Sequence, residues 1–241
     1  MVAAGQRPKL LAIVGPTASG KSAWALDVAS KYEGEIICAD SRTIYSGMDI
    51  GTAKPSNEEQ TRVPHWGLDL VEPGQRYNVH QFKTYAEAKI KNIQGRGKLP
   101  ILAGGTGLYI DAVLFDYKFQ QGTKSEMRPG TLIVGIMPPA EVIRQRINQR
   151  VEQMFKDGFI KEVRQLYEKF GDKLESTAGI GYKPGLRLIK GEISESQAKE
   201  EFKKQDWQYA RRQRTWFRRN PHIKWFDGSK KALDFISKSL L

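Results

Sequence analysis

The chain has 241 residues, 39% of them hydrophobic, and a formal charge of +12 at neutral pH. That apolar content suffices for a full core, and no run is long and apolar enough to span a bilayer, so a soluble protein without a membrane partner is expected. The run Met1 to Lys9 lacks the apolar stretch of a secretion signal, which makes the cytoplasm the expected compartment. The lone Cys38 excludes an intrachain disulfide and a cysteine-clustered zinc site.

The apolar run from Leu10 to Val14 predicts a buried strand. It leads into Gly15-Pro16-Thr17-Ala18-Ser19-Gly20-Lys21-Ser22, which fits the pattern G-x-x-x-x-G-K-[ST], and then into a helix from Lys21 to Tyr32. Glycines at both ends let the backbone bend so that its N–H groups converge on anionic oxygens, and the opening helix adds its positive end. Lys21 supplies a point charge and Ser22 a hydroxyl for Mg²⁺ bridging two phosphates. This motif names a di- or triphosphate ligand without naming a reaction.

Further strands are predicted from Glu35 to Cys38, Gly67 to Val71 (opened by His65-Trp66), Leu99 to Ala103 and Thr131 to Ile136. They alternate with helices from Val79 to Gln94 and Ala140 to Phe155. Cys38 falls inside a strand, where packing is its expected role. Gln120 to Gly130 reads as a short polar joint. Beyond Phe155 the pattern turns helical, with segments from Ile160 to Phe170, Lys183 to Lys190 and Ser194 to Asn220. The predicted fold is therefore α/β: a P-loop NTPase-like parallel sheet flanked by helices over residues 1–155, with a C-terminal helical lobe over 156–241. In such a sheet, binding residues gather at the carboxyl ends of the strands.

Three constellations carry chemistry. The second strand ends in Ala39-Asp40-Ser41. Asp40 there can serve as a base, as a metal ligand or as a cap of the next segment, and spacing alone leaves the three open. The fourth strand ends in Gly104-Gly105-Thr106-Gly107, whose backbone can approach a ligand and whose Thr106 can donate to phosphate or bridge to Asp40. On the helix after Pro139, Arg146 and Arg150 are four apart and share a face, either clamping pyrophosphate bidentately or forming a solvated basic surface. Finally, Trp207 to Asn220 interleaves arginines with aromatics and has no acid. Such a stretch suits nucleic acid, with the alternative that its aromatics pack inward and its arginines are solvated. His65, His80 and His222 show no metal-ligand spacing.

Taken as an ordered set, these motifs resemble the bacterial tRNA dimethylallyltransferases, the tRNA isopentenyltransferase family. The set comprises Gly15 to Ser22, Ala39-Asp40-Ser41-Arg42-Thr43-Ile44-Tyr45, Met48-Asp49-Ile50-Gly51-Thr52-Ala53-Lys54-Pro55, Gly104 to Tyr109, Gly179-Ile180-Gly181-Tyr182 and Arg212-Gln213-Arg214-Thr215-Trp216. The resemblance implies transfer of a dimethylallyl group from dimethylallyl diphosphate to N6 of adenosine 37 in tRNA. In that scheme Asp40 is the general base, the P-loop holds pyrophosphate, and Mg²⁺ sits at Ser22. Thr106, Arg146 and Arg150 complete the catalytic set. It implies tRNA contacts at Asp40, Ser41, Arg42, Thr43, Thr106, Gly179, Ile180, Gly181, Tyr182, Lys183, Arg211, Arg212, Gln213, Arg214, Thr215, Trp216, Phe217 and Arg218. The flipped-out acceptor base would reach Asp40 from an anticodon loop. A monomer is expected.

The chain departs from the pattern between Asp116-Tyr117-Lys118-Phe119 and Thr131, where relatives carry a helical insertion that helps to grip the anticodon stem; only Gln120 to Gly130 stands here. An adenylate isopentenyltransferase acting on free AMP, ADP or ATP is the alternative enzyme. The basic stretch from Arg211 to Arg219 argues for the larger substrate. A P-loop kinase would need a lid of arginines over a γ-phosphate, and a silent RNA-binding module would have no use for Asp40.

Overall fold

A computed structural model describes residues 8–115, 126–177 and 179–240. Among them six strands form one sheet in the order β3-β2-β4-β1-β5-β6, and every pairing is parallel. β1 (Leu10–Val14) lies inside it between β4 (Leu99–Gly104) and β5 (Thr131–Ile136), while β2 (Gly34–Ala39) pairs on the far side of β4. All five residues of β1 are buried, as a strand covered on both faces requires. Its side chains alternate between two cores. Leu10, Ala12 and Val14 pack toward α3 (Val79–Gly95) and α4 (Gly107–Leu114), and Leu11 and Ile13 toward α1 (Lys21–Lys31).

The register positions the site. Val14 pairs with Gly104 on one side and Gly135 on the other, and Ala39 also pairs with Gly104. Strands β1, β2 and β4 therefore end level, so the segments after Val14, Ala39 and Gly104 emerge at one edge. Chain reversal on either side of β1 makes that edge a topological switch point, where such sheets bind ligands.

A third core belongs to the helices. Ile143, Ile147, Val151 and Met154 of α5 (Ala140–Lys156) meet Phe159, Val163 and Leu166 of α6 (Phe159–Phe170) and Leu186 of α8 (Tyr182–Ile189). Phe202 and Ala210 of α9 (Glu195–Arg218) join the same core. Phe159 contacts Tyr182 edge-on and Phe202 at a tilt, with ring centroids 5.4 Å apart in both pairs. Ser194 caps α9 and Gln197 returns the bond, which starts this long helix cleanly.

The architecture corrects several expectations. β3 is only His65–Trp66, because the chain turns at Gly67 and residues 69–71 bond instead to the loop after β2, through Leu70 N–H to Ile44 O and Ser46 N–H to Val71 O. The short helices α2 (Asn57–Arg62) and α7 (Asp172–Thr177), and α4 behind the glycine-rich turn, were not anticipated. The C-terminal segment is not wholly a helical lobe. β6 (Lys224–Phe226) pairs with β5, and α10 (Ser229–Leu240) packs Ala232, Ile236 and Leu240 into the core against α1. Of the joint from Gln120 to Gly130, residues 120–125 lie outside the described residues; Gly130 carbonyl accepts from Lys9 and Leu10 at the foot of β1.

Candidate active site

The loop from Gly15 to Ser22 folds as its glycines predict. Gly20 takes a left-handed φ of 94° and Ala18 does so at 58°, which bends the loop sharply into α1. The Ser19 amide bonds the Pro16 carbonyl at 3.2 Å, and the Lys21 ammonium reaches the same oxygen at 3.3 Å. No side chain caps α1 and its first turn carries no acid, so its amides and positive end face outward unneutralised. Burial pushes the Lys21 ammonium down to about 8, with Asp40 pulling it back up and Arg150 pressing it down. Among the described residues the buried Ser19 hydroxyl has no hydrogen-bond partner. A buried orphan of this kind marks a place where ligand or water completes the bonding.

Arg146 and Arg150 both reach this loop's neighbourhood, in different ways. Arg146 lies across the loop, its Nη1 donating to the Ser19 carbonyl at 3.0 Å and facing that of Ala18 at 3.4 Å. Arg150 is held by the buried carboxylate of Asp206 on α9, and its buried Nε–H has no partner among the described residues. Both line a cavity of about 420 Å³ with Ala18, Ser19, Gly20 and Trp24. A larger cavity of about 630 Å³ lies on the other side of Arg150, under the loop from Asp49 to Asn57.

Asp40 stands half-buried at the end of β2, and its Oδ1 accepts from the Arg42 amide at 2.9 Å. The capping role is thus present, and it orients the carboxylate while engaging one oxygen. Thr106 joins the neighbouring turn to it: Thr106 Oγ1 accepts from the Ser41 amide at 3.0 Å and donates to Ser41 Oγ at 3.4 Å. Thr43 is buried, so its side chain is not available to RNA as anticipated. Cys38, whose thiol burial pushes up to about 12, is an inert packing residue.

The turn Gly104 to Gly107 was expected to approach a ligand; it is filled by protein. A Cβ at Gly104 would stand 2.1 Å from the Ala39 carbonyl oxygen, one at Gly105 2.2 Å from Gln213 Nε2, and one at Gly107 2.2 Å from the Trp216 ring. Gln213 is buried and spans the site, accepting from the Thr17 amide at 2.8 Å and donating to the Gly105 carbonyl at 2.9 Å. Gln213 and Phe217, expected to touch RNA, therefore face inward with the buried stripe of α9. Trp216 leans on Gly107 and donates to Asp111 at 3.2 Å, but it stays 38% exposed. Arg211, Arg212, Thr215 and Arg218 are exposed and Arg214 half-buried, and a shallow cavity of about 590 Å³ runs along Gln208, Arg211, Arg212, Thr215, Trp216 and Arg219.

The segment from Gly179 to Lys183 splits in the same way. Lys183 is exposed and Ile180 half-buried, whereas Tyr182 is buried with its hydroxyl donating to Glu162 at 2.6 Å. Gly179 lies against the Arg42 guanidinium, which donates to the Thr177 carbonyl at 3.2 Å, so this segment and the Asp40–Thr43 segment form one wall. Two contributors were missed. Tyr209 lies beside Thr106 and Gln213, and burial, with Asp40 nearby, pushes its phenol up to about 12. Glu162 accepts from three successive amides, Asp49, Ile50 and Gly51, at 3.0, 2.7 and 3.0 Å, and so anchors the Met48–Pro55 loop. Tyr209 sits one turn before Gln213 on the inner face, a signal that the aromatic spacing carried.

A parallel sheet with an uncapped glycine-rich loop at its switch point, at the same edge as a carboxylate at the end of β2, defines a P-loop NTPase-like α/β protein. Within that class the chain belongs to the IPP transferase family, whose model matches residues 43–130 and 118–220. It is 34% identical to the tRNA dimethylallyltransferase of Staphylococcus epidermidis over 95% of this chain and 90% of the relative. It is 35% identical to that of Carboxydothermus hydrogenoformans over 97% of this chain and 96% of the relative. The crystal structure of the Staphylococcus epidermidis tRNA isopentenylpyrophosphate transferase matches with a TM-score of 0.86 at 33% identity, over 97% of this chain and 99% of that one. The Bacillus halodurans enzyme also matches with a TM-score of 0.86, at 30% identity and 97% coverage of both chains. The alignment with the first relative runs over 298 positions against a chain of 241 residues, so that relative carries residues with no counterpart here. The two matched segments of the family model overlap at 118–130.

Proposed function

We propose that the protein transfers the dimethylallyl group of dimethylallyl diphosphate to N6 of adenosine 37 in tRNA. The observation that carries this reading is the pairing, at one sheet edge, of an uncapped phosphate loop with the carboxylate of Asp40, under a helix whose outer face is basic and aromatic. The amides of Ala18, Gly20, Lys21 and Ser22, the Lys21 ammonium, the Ser19 hydroxyl and the guanidiniums of Arg146 and Arg150 would receive the diphosphate. The bond between the allylic C1 and the diphosphate oxygen breaks, and the electron pair leaves with pyrophosphate. These fixed cationic groups stabilise the charge as it develops. Adenine N6 forms the new bond to C1. Its lone pair is delocalised into the ring, so the attack is weak unless Asp40 takes the departing N6 proton. Thr106, bonded to the Ser41 amide, positions that carboxylate's strand end.

Mg²⁺ fits the donor chemistry of this loop. The exposed Ser22 hydroxyl opens α1, and no group of three acidic, imidazole or thiol ligands stands among the described residues, so an ion here would take most of its hard oxygen ligands from the diphosphate. When bound it would neutralise the leaving group's charge. The tRNA would lie on Ser41, Arg42, Ile180, Lys183 and the outer face of α9, where Arg211, Arg212, Arg214, Trp216 and Arg218 meet phosphates and bases. One chain supplies every one of these residues, so a monomer suffices.

The test is transfer from labelled dimethylallyl diphosphate with Mg²⁺ to an unmodified tRNA carrying A36-A37-A38, to its anticodon stem-loop and to free AMP. Label in A37 is expected, and Asp40→Asn should lower transfer by about 1,000-fold while retaining diphosphate binding. Label in AMP alone would replace this reading with an adenylate isopentenyltransferase, and normal turnover by Asp40→Asn would remove Asp40 as the base.

A further inference from the structure

Helix α9 has two working faces. Its outer face presents the arginines and Trp216. Its inner face sends three polar side chains toward the strand ends: Asp206 holds Arg150, Tyr209 lies beside Thr106, and Gln213 bridges Thr17 and Gly105. Of these, Gln213 alone bonds the phosphate loop itself.

We propose that Gln213 is a positioning residue for the diphosphate: its carboxamide sets the Thr17 amide and ties the phosphate loop to the Gly104–Gly107 turn, so that the cradle depends on where α9 sits. This rests on the diphosphate reading given above. Two independent observations support it. Both ends of the carboxamide are satisfied by backbone, at 2.8 Å to the Thr17 N–H and 2.9 Å to the Gly105 carbonyl, in a residue only 4% exposed. The Gly105 position has room for Gln213 only because it lacks a Cβ, which would stand 2.2 Å from Nε2. A buried amide with both ends engaged transmits displacement because releasing it would leave unpaired polar groups. RNA seated on the outer face of α9 therefore acts on the same helix that holds Thr17, and the two ligands must change each other's affinity by the same factor.

The experiment compares wild type with Gln213→Met, which keeps length and burial but loses both bonds. Magnesium pyrophosphate and an A36-A37-A38 anticodon stem-loop are titrated singly and together, a pair that cannot react. In Gln213→Met, pyrophosphate affinity should fall about tenfold and stem-loop affinity alone should change less than about twofold. The mutual effect of the two ligands, present in wild type, should vanish. In turnover the KM for dimethylallyl diphosphate should rise with kcat nearly constant, a split that general loosening of the fold would not give.

A readout needing no variant is the Thr17 amide of ¹⁵N-labelled wild type. It should be protected from solvent exchange in the free protein and shift when the stem-loop is added without pyrophosphate. An unprotected or unmoved Thr17 amide would overturn the proposal, as would unchanged pyrophosphate affinity in Gln213→Met. Failure of wild type to bind pyrophosphate at all would instead overturn the diphosphate reading, and the proposal with it.

Discussion

Two glycine-rich turns leave neighbouring strands at the same edge of the sheet, and they are built for opposite neighbours. The turn after β1 leaves the end of α1 uncapped by any side chain, with an orphaned hydroxyl at Ser19 and a buried ammonium at Lys21. The turn after β4 spends its missing side chains on protein: the Ala39 backbone, Gln213 and Trp216 occupy the space beside Gly104, Gly105 and Gly107. A run of glycines therefore states that something approaches the backbone closely. Whether that is a ligand or the chain's own helix depends on what packs there.

Lys21→Met should break the comparison most sharply. Pyrophosphate affinity should fall about 100-fold or more, since the variant removes the central charge of the cradle. Thermal stability should not drop, because a desolvated ammonium is replaced by an apolar chain of similar length. A melting curve beside a pyrophosphate titration checks both.

The second turn should answer in the opposite sense. Gly107→Ala forces a Cβ against the Trp216 ring and should cost roughly 2 kcal/mol in urea unfolding. Adding Trp216→Ala should return most of that loss, because the clash disappears with the ring. Gly20→Ala, where the new Cβ would meet only Arg146 Nη1 at 3.6 Å, should cost about 1 kcal/mol through its φ of 94°. A Gly107→Ala chain as stable as wild type would show that the turn is not filled as described.

The pH dependence of ligand binding sharpens the contrast further. Lys21 is protonated in the free protein below about pH 8, and a bound diphosphate raises its pKa. Affinity should be flat below pH 8 and fall by up to about tenfold per unit above it. Lys21→Met should abolish this slope. For folding the sign is reversed. The Lys21 pKa drops from 10.5 to about 8 on folding, so the unfolded chain holds more protons between those values and stability from this residue rises with pH there.

The smallest effect on function belongs to the opposite, amino-terminal edge. Glu35 is buried, paired with Arg96 and Lys98 and bonded by the Trp66 indole, and Arg96 above all holds its carboxyl down to about 2 from 4.5. Its contribution to stability is complete above pH 4.5 and should be lost as pH falls toward 2. Glu35→Gln should flatten that acid limb and leave pyrophosphate affinity unchanged.

Much of the sheet was legible in the chain, because a strand buried on both faces reads as a nearly continuous apolar run, as β1, β2, β4 and β5 do apart from Glu35 and Thr131 near the strand starts. β6 was not, since three residues at a sheet edge carry too little pattern. The spacing of Ala232, Ile236 and Leu240 did signal α10, and the apolar run after Gly107 signalled α4, but each was overshadowed by a neighbouring motif.

By itself the sequence determined the loop from Gly15 to Ser22, because its shape lies in the backbone geometry of eight consecutive residues. It likewise determined the basic stretch of α9, because charge density is a property of composition. Only the tertiary structure decided which side chains of that stretch face outward and which face the catalytic edge. Gln213 and Phe217 turn inward while Arg212 and Trp216 remain accessible, since a helix in contact with a core must bury one stripe whatever its overall charge. The bridge from Gln213 to Thr17 joins residues 196 positions apart, a separation over which local pattern carries no information.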